Sequence, residues 1–192
     1  MESLHKEWTH STPLSNFIEV HENMVPSVVC QELIKFYEKE GNWDGQCFNI
    51  GDLEKDYNYN VKAEEIWINP TMEFYPELSE LFSTLGFKYA KKHKFKMDHA
   101  SRMRLNKYEK GGFMRLHCDA IRHSHGQKYG YPHITLLSIL NSEFEGGEFV
   151  LVNKKYNFKT GDVVIFPSGF MFEHGVNEIT KGTRYSLMTW MM

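Results

Sequence analysis

His117, Asp119 and His174 are the residues of this 192-residue chain whose types and order could hold a metal ion. In an extended segment, side chains two apart share a face, so His117 and Asp119 can converge on one ion while Cys118 between them turns away. A second imidazole on a neighbouring strand, His174, lies 57 residues beyond His117 and completes three ligands on one side of an octahedron. Two imidazoles and one carboxylate, with open positions opposite, suit non-haem Fe(II). The triplet alone says little. Ten histidines among 25 acidic residues make a chance match common, and His5-Lys6-Glu7 is another.

Arg184 adds what the triplet lacks. It lies ten residues after His174, where Gly182 can turn the chain into a last strand and Ser186 falls on the same strand face as Arg184. A guanidinium with a hydroxyl beside it can grip a carboxylate with paired hydrogen bonds, as anchoring the far end of a dicarboxylic acid requires.

The segments YEKGGFMRLHCD, LLSILNSEFEGGEFVLV, KTGDVVIFPSG and EHGVNEITKGTRYSLMTW follow one another in a family's order and with similar spacing. From about residue 102 to 190 the chain resembles the prolyl-4-hydroxylase-like branch of the Fe(II)/2-oxoglutarate oxygenases, and FIEVHENMVPSVVCQELIKFY is similar to that family's opening strand and helix. The resemblance implies a mainly β fold of the α+β class, a double-stranded β-helix (jelly-roll, cupin-like) core with supporting N-terminal helices. It implies that His117, Asp119 and His174 bind Fe(II) and that Arg184 salt-bridges the C5 carboxylate of 2-oxoglutarate. Tyr108 matches a family tyrosine that hydrogen-bonds this cosubstrate, and Thr135 and Ser186 can line the same pocket. Where many relatives carry a tyrosine this chain has Ile139, so that part of the pocket does not carry over. The implied reaction hydroxylates an unactivated C–H bond with O2 as second cosubstrate and ascorbate as reductant, giving succinate and CO2. Its typical acceptor is a prolyl residue in a peptide or protein.

Tyr57, Tyr59, Arg122 and Trp190 are the candidates to touch that acceptor, the first three from segments expected to border the entrance. A free amino acid as substrate would need a second carboxylate anchor, for which Arg122 and Arg115 are available. A nucleic-acid demethylase of the AlkB type would carry a second arginine six residues after Arg184, where this chain has Trp190. A non-catalytic cupin-like binding module would need neither Arg184 nor the complete triad. The pair His123 and His125 lacks further ligands nearby and reads as a solvated loop.

The elements that must position these residues divide the chain in two. After a polar arm (1–15), the 16–95 part carries a short strand (17–25), a helix opened by Ser27 and closed by Gly41, and a loop over 42–65. A second helix runs from Met72 to about Phe95, with a break expected near Gly86. From residue 96 to 192 short strands alternate with Gly-rich turns, so helices are expected against a sandwich or barrel in a single domain.

The bulk properties remove other classes. The formal charge is -3 and the basic residues are scattered, which disfavours a nucleic-acid partner. No run approaches the length of a membrane span. Three cysteines (Cys30, Cys47 and Cys118) without CxxC spacing, and no apolar N-terminal stretch, point to a reducing, cytoplasmic setting.

Overall fold

The structure, a computed structural model, describes residues 12–46, 60–120 and 130–192. Tyr57, Tyr59, Arg122, the His123/His125 pair, His5 and Cys47 lie outside the described residues.

Two α-helices are described in full: α1 (Ser27–Glu40) and α2 (Tyr75–His93). Helix α1 opens one residue earlier than Ser27 suggests. Pro26 holds the cap position, its carbonyl accepting from Cys30 N–H, and no side chain caps the first turn. Gly41 closes the helix as expected, its N–H bonded to the carbonyl of Tyr37 at 3.0 Å. The break expected at Gly86 does not occur, and α2 is continuous. A Cβ at Gly86 would collide with the Met191 side chain, so this glycine lets the helix lie against the last strand.

Fourteen strands are described, among them β1 (Glu19–His21), β2 (Asp44–Gly45), β3 (Val61–Lys62) and β4 (Glu64–Trp67). The C-terminal half adds β5 (Arg104–Tyr108), β6 (Phe113–His117), β7 (Ile134–Ile139), β8 (Phe144–Gly146), β9 (Phe149–Leu151) and β10 (Lys154–Tyr156). It ends with β11 (Val163–Pro167), β12 (His174–Val176), β13 (Ile179–Gly182) and β14 (Arg184–Met191). A major sheet runs β1-β11-β7-β14-β5-β4-β2, a minor one β10-β9-β12-β6-β3, and β13 pairs with β8. The two larger sheets are the facing walls of a double-stranded β-helix. The part expected to be helical support therefore also supplies strands, β1 to β4, to both walls. The expected 42–65 loop accordingly has strands at both ends.

Strand β14 shows why the sequence builds three layers. All eight of its residues are buried, and with a period of two its alternate residues serve two different cores. Tyr185, Leu187 and Met191 join Leu33 and Tyr37 of α1 and Phe82, Leu85 and Tyr89 of α2 beneath the helices. Met188 and Trp190 join Phe149, Leu151 and Val176 between the sheets. Each such fully buried Leu or Phe contributes about 1.5–3 kcal/mol. The polar members Arg184 and Ser186 are buried too. No described helix is long and apolar enough to cross a membrane.

Candidate metal centre

The site is built where β6 meets β12. His174 pairs with His117, whereas Val176 pairs with Met114, so two steps along β12 face three along β6. The extra residue is a bulge at Arg115–Leu116, both exposed. It breaks the strict alternation of faces and lets Met114 and His117 line the same cavity. Gly175 sits opposite; a Cβ there would stand 2.7 Å from the Met114 carbonyl oxygen and 3.1 Å from the Arg115 carbonyl carbon. Gly175→Ala is therefore expected to lose about 1–3 kcal/mol of stability by overpacking and to weaken metal binding. Thermal denaturation with and without Fe(II) measures both, and an unchanged melting temperature would count against the bulge as a constraint.

Asp119 lies two residues beyond the end of β6, so strand alternation does not place it. Hydrogen bonds do. Thr135 of β7 donates to Asp119 Oδ2 at 2.5 Å. Thr135 Oγ1 is also 2.9 Å from Ser168 Oγ, and since its one proton goes to the carboxylate, Ser168 is the donor in that contact. The Ala120 N–H bonds to the Ser168 carbonyl at 2.8 Å, tying the same two segments together.

The imidazoles are oriented from behind. His117 Nδ1 is 2.9 Å from the Arg115 carbonyl and His174 Nδ1 is 3.1 Å from the Phe172 carbonyl. A carbonyl only accepts, so each Nδ1 carries the proton and each Nε2 keeps its lone pair. Those Nε2 atoms lie 3.5 Å from Asp119, His117 at Oδ1 and His174 at Oδ2. The three donor atoms all fall within 4.8 Å of one another. Phe149 and Phe166 pack around the His174 ring with centroids at 5.7 and 4.8 Å, which keeps that side dry.

Charge favours ligation. Burial alone would raise the Asp119 carboxyl, but the neighbouring imidazoles of His174 and His117 and the hydrogen bond from Thr135 outweigh it and hold the group below the usual carboxylate range. Burial lowers the His174 imidazole to about 4 against the opposing pull of Asp119, so the ring is neutral at pH 7. The unfolded chain binds the proton near pH 6.5 and the folded chain only near pH 4. Stability from this group is thus complete above pH 6.5 and is lost as pH falls toward 4. The metal-free protein is expected to melt lower at pH 5 than at pH 7, and His174→Phe to flatten that difference; equal melting temperatures in the parent protein would contradict it.

Arg184 stands further along the same interior. Its side chain is 1% exposed. Nη1 donates to Ser186 Oγ at 3.2 Å and the guanidinium lies 5.4 Å from the Tyr108 ring centroid. Its Nη2 is buried with no hydrogen-bond partner, and it makes no ion pair with a carboxylate among the described residues. It borders a cavity of about 240 Å³ with Ile139, Phe149 and Phe158, and Phe149 also lines the cavity of the three ligands. A buried cation without a counter-ion is costly unless an anion arrives.

Residues 103–192 match the 2OG-Fe(II) oxygenase superfamily. That stretch, 90 of the 192 residues, is similar to a 2OG-Fe(II) oxygenase domain. Across 95 residues, 47% of its length, the chain is 30% identical to a PKHD-type hydroxylase of Idiomarina loihiensis, of which it covers 42%; it thus spans less than half of that relative. The fold is that of a prolyl-4-hydroxylase of Pseudomonas putida, with a TM-score of 0.73 at 16% identity, covering 91% of both chains. It is likewise that of a Trichoplax adhaerens prolyl hydroxylase in complex with a hypoxia inducible factor peptide fragment. There the TM-score is 0.71 at 16% identity, covering 93% of this chain and 84% of that one.

Fe(II), 2-oxoglutarate and O2 are what this oxygenase superfamily uses, and the residues present fit them. The His117, Asp119 and His174 donors suit the metal, and the orphaned Arg184 nitrogen suits a carboxylate. Of the other expected residues, Tyr108 lies beside Arg184 with its hydroxyl 3.8 Å from Met114 Sδ. Thr135 lines the ligands' cavity, its hydroxyl committed to Asp119. Trp190 is buried, its ring covering the guanidinium of Arg104. Arg115 is exposed and borders a groove on the far side of the minor sheet, so it is no anchor within the oxygenase cavity. Sequence reasoning missed Arg104, Asn106 and Met114, which line that cavity, and Ser168 and Gly175, which shape it. The glycine beside His174 is the one signal that could have marked the bulge.

Proposed function

We propose that the chain is an Fe(II)- and 2-oxoglutarate-dependent dioxygenase that hydroxylates a prolyl residue in a peptide or protein. The observation carrying this reading is a three-donor cluster and an unpaired buried Arg184 on the walls of one interior. His117, Asp119 and His174 would hold the iron. Arg184, with Ser186 fixing one edge of its guanidinium, would hold the far carboxylate of 2-oxoglutarate beside Tyr108. Iron held there would supply oxidising power drawn from O2, one oxygen atom of which ends in succinate as 2-oxoglutarate loses CO2 and the other in the new hydroxyl group. The chain's own part is to orient both partners and to exclude water with Phe149 and Phe166. The prolyl acceptor is supported by the names of the structural relatives. A cytoplasmic setting and ascorbate as reductant belong to the same proposal, the former supported by the cysteine usage.

Anaerobic addition of Fe(II) and 2-oxoglutarate is expected to give a weak visible charge-transfer band, and oxygen then to yield succinate. Mass spectrometry of a proline-containing peptide library after turnover is expected to show a +16 Da product. Absence of both the band and succinate would refute the oxygenase, and succinate without any modified peptide would refute the prolyl acceptor.

A further inference from the structure

The interior holds a second buried arginine, and its charge is balanced where that of Arg184 is not. Arg104 on β5 lines the same cavity as His117, Asp119 and His174 and is 9% exposed. Its Nη1 donates to Glu65 Oε2 at 2.7 Å, and its Nη2 meets Met188 Sδ at 3.1 Å, a weak acceptor. The rings of Trp190 and Trp67 lie 5.0 and 5.6 Å from its guanidinium carbon. The Nε of Arg104 is buried with no hydrogen-bond partner.

An unmet acceptor lies close by. Gln46, 8% exposed, donates through Nε2 to Asn106 Oδ1 at 2.5 Å, and Asn106 lines the ligands' cavity two residues from Arg104. The Oε1 of Gln46 is buried without a partner. One free N–H and one free carboxamide oxygen are the complement of a peptide group, which offers one acceptor and one donor. An ion-paired guanidinium, by contrast, offers no net charge to offset the desolvation of a free carboxylate.

We propose that Arg104, neutralised by Glu65 and stacked between Trp67 and Trp190, is a specificity-determining residue that reads a neutral amide carbonyl of the substrate, with Gln46 accepting an amide N–H. The two arginines thereby divide the interior. Unpaired Arg184 takes the dianionic cosubstrate, and paired Arg104 takes an uncharged acceptor, which selects an internal peptide residue over a free amino acid. Trp67 also borders an open groove of about 970 Å³ along α1 and the 69–74 turn, room for the flanking chain. This inference rests on the peptide reading above.

The test uses the peptide that the library identifies, cut just after the target prolyl residue and prepared with a C-terminal carboxamide or a C-terminal carboxylate. The intact protein is expected to show a KM at least about 10-fold higher for the carboxylate form, the size of one hydrogen bond to a charged donor. Glu65→Gln, which keeps the cation and removes its partner, is expected to reverse the preference. The double variant Arg104→Met with Glu65→Met removes both charges together, which avoids stranding one of them. It should raise the peptide KM about 10-fold or more while the charge-transfer band and the KM for 2-oxoglutarate stay as they were. Equal KM values for the two peptide forms in the intact protein, an unchanged preference in Glu65→Gln, or an unchanged peptide KM in the double variant would each overturn the inference. In those cases the band and succinate still stand, so the oxygenase reading survives. A library without any product would instead remove the prolyl reading, and this inference with it.

Discussion

Asp119→Ala is expected to abolish hydroxylation and the charge-transfer band while leaving the chain folded. Asp119 is the one carboxylate in the cluster, and its loss leaves two neutral imidazoles, a poor site for a hard dication. Disturbing a mere outer partner of a metal ligand costs about 10–100-fold in affinity or activity, so removing the ligand itself should cost more than about 100-fold. Thr135→Val supplies the scale within this protein: it keeps the carboxylate and deletes the hydroxyl donating to Oδ2, and should fall in the 10–100-fold range. Succinate assays and Fe(II) titrations measure both. Turnover by Asp119→Ala at the parent rate would remove the metal assignment.

Arg184→Met should separate binding from stability in opposite directions. Truncating one side of a buried charge pair costs about 2–5 kcal/mol, so the dissociation constant for 2-oxoglutarate should rise at least about 30-fold. Without cosubstrate, however, the guanidinium is a buried cation lacking a carboxylate partner among the described residues, and an apolar side chain of similar length relieves that cost. The cosubstrate-free variant is therefore expected to melt at or above the parent temperature while losing the stabilisation that 2-oxoglutarate confers. A structural arginine would behave otherwise, with a lowered melting temperature in both conditions.

The sequence made His117, His174 and Arg184 legible because their roles demand particular residue types in a fixed order. Arg104 was hidden by the same rules that revealed the strands. In Arg-Leu-Asn-Lys-Tyr three of the five residues are polar, a composition usually read as solvent-facing, yet every residue of β5 is buried and Arg104 and Asn106 line the ligands' cavity. Strand β12, which carries His174, is three residues long and includes a glycine, so it has too little pattern to announce itself. Gly86 looked like a helix break because local propensity says so; contact with Met191, far away in sequence, decides otherwise. The bulge in β6 leaves no periodic trace, and it supplies the correct facing of His117 that simple alternation would not.

The short hydrogen bond from Thr135 to Asp119 also fixes how the carboxylate is turned. Oδ2 accepts from the hydroxyl and stands 3.5 Å from His174 Nε2, while Oδ1 stands 3.5 Å from His117 Nε2, so rotation of the carboxylate would break the bond and take an oxygen away from one imidazole. The two imidazoles and this carboxylate would hold an ion from one side and leave its other side open. The Thr135 hydroxyl is thus, in effect, a rotation stop: it keeps the one anionic donor facing both imidazoles before any cation arrives.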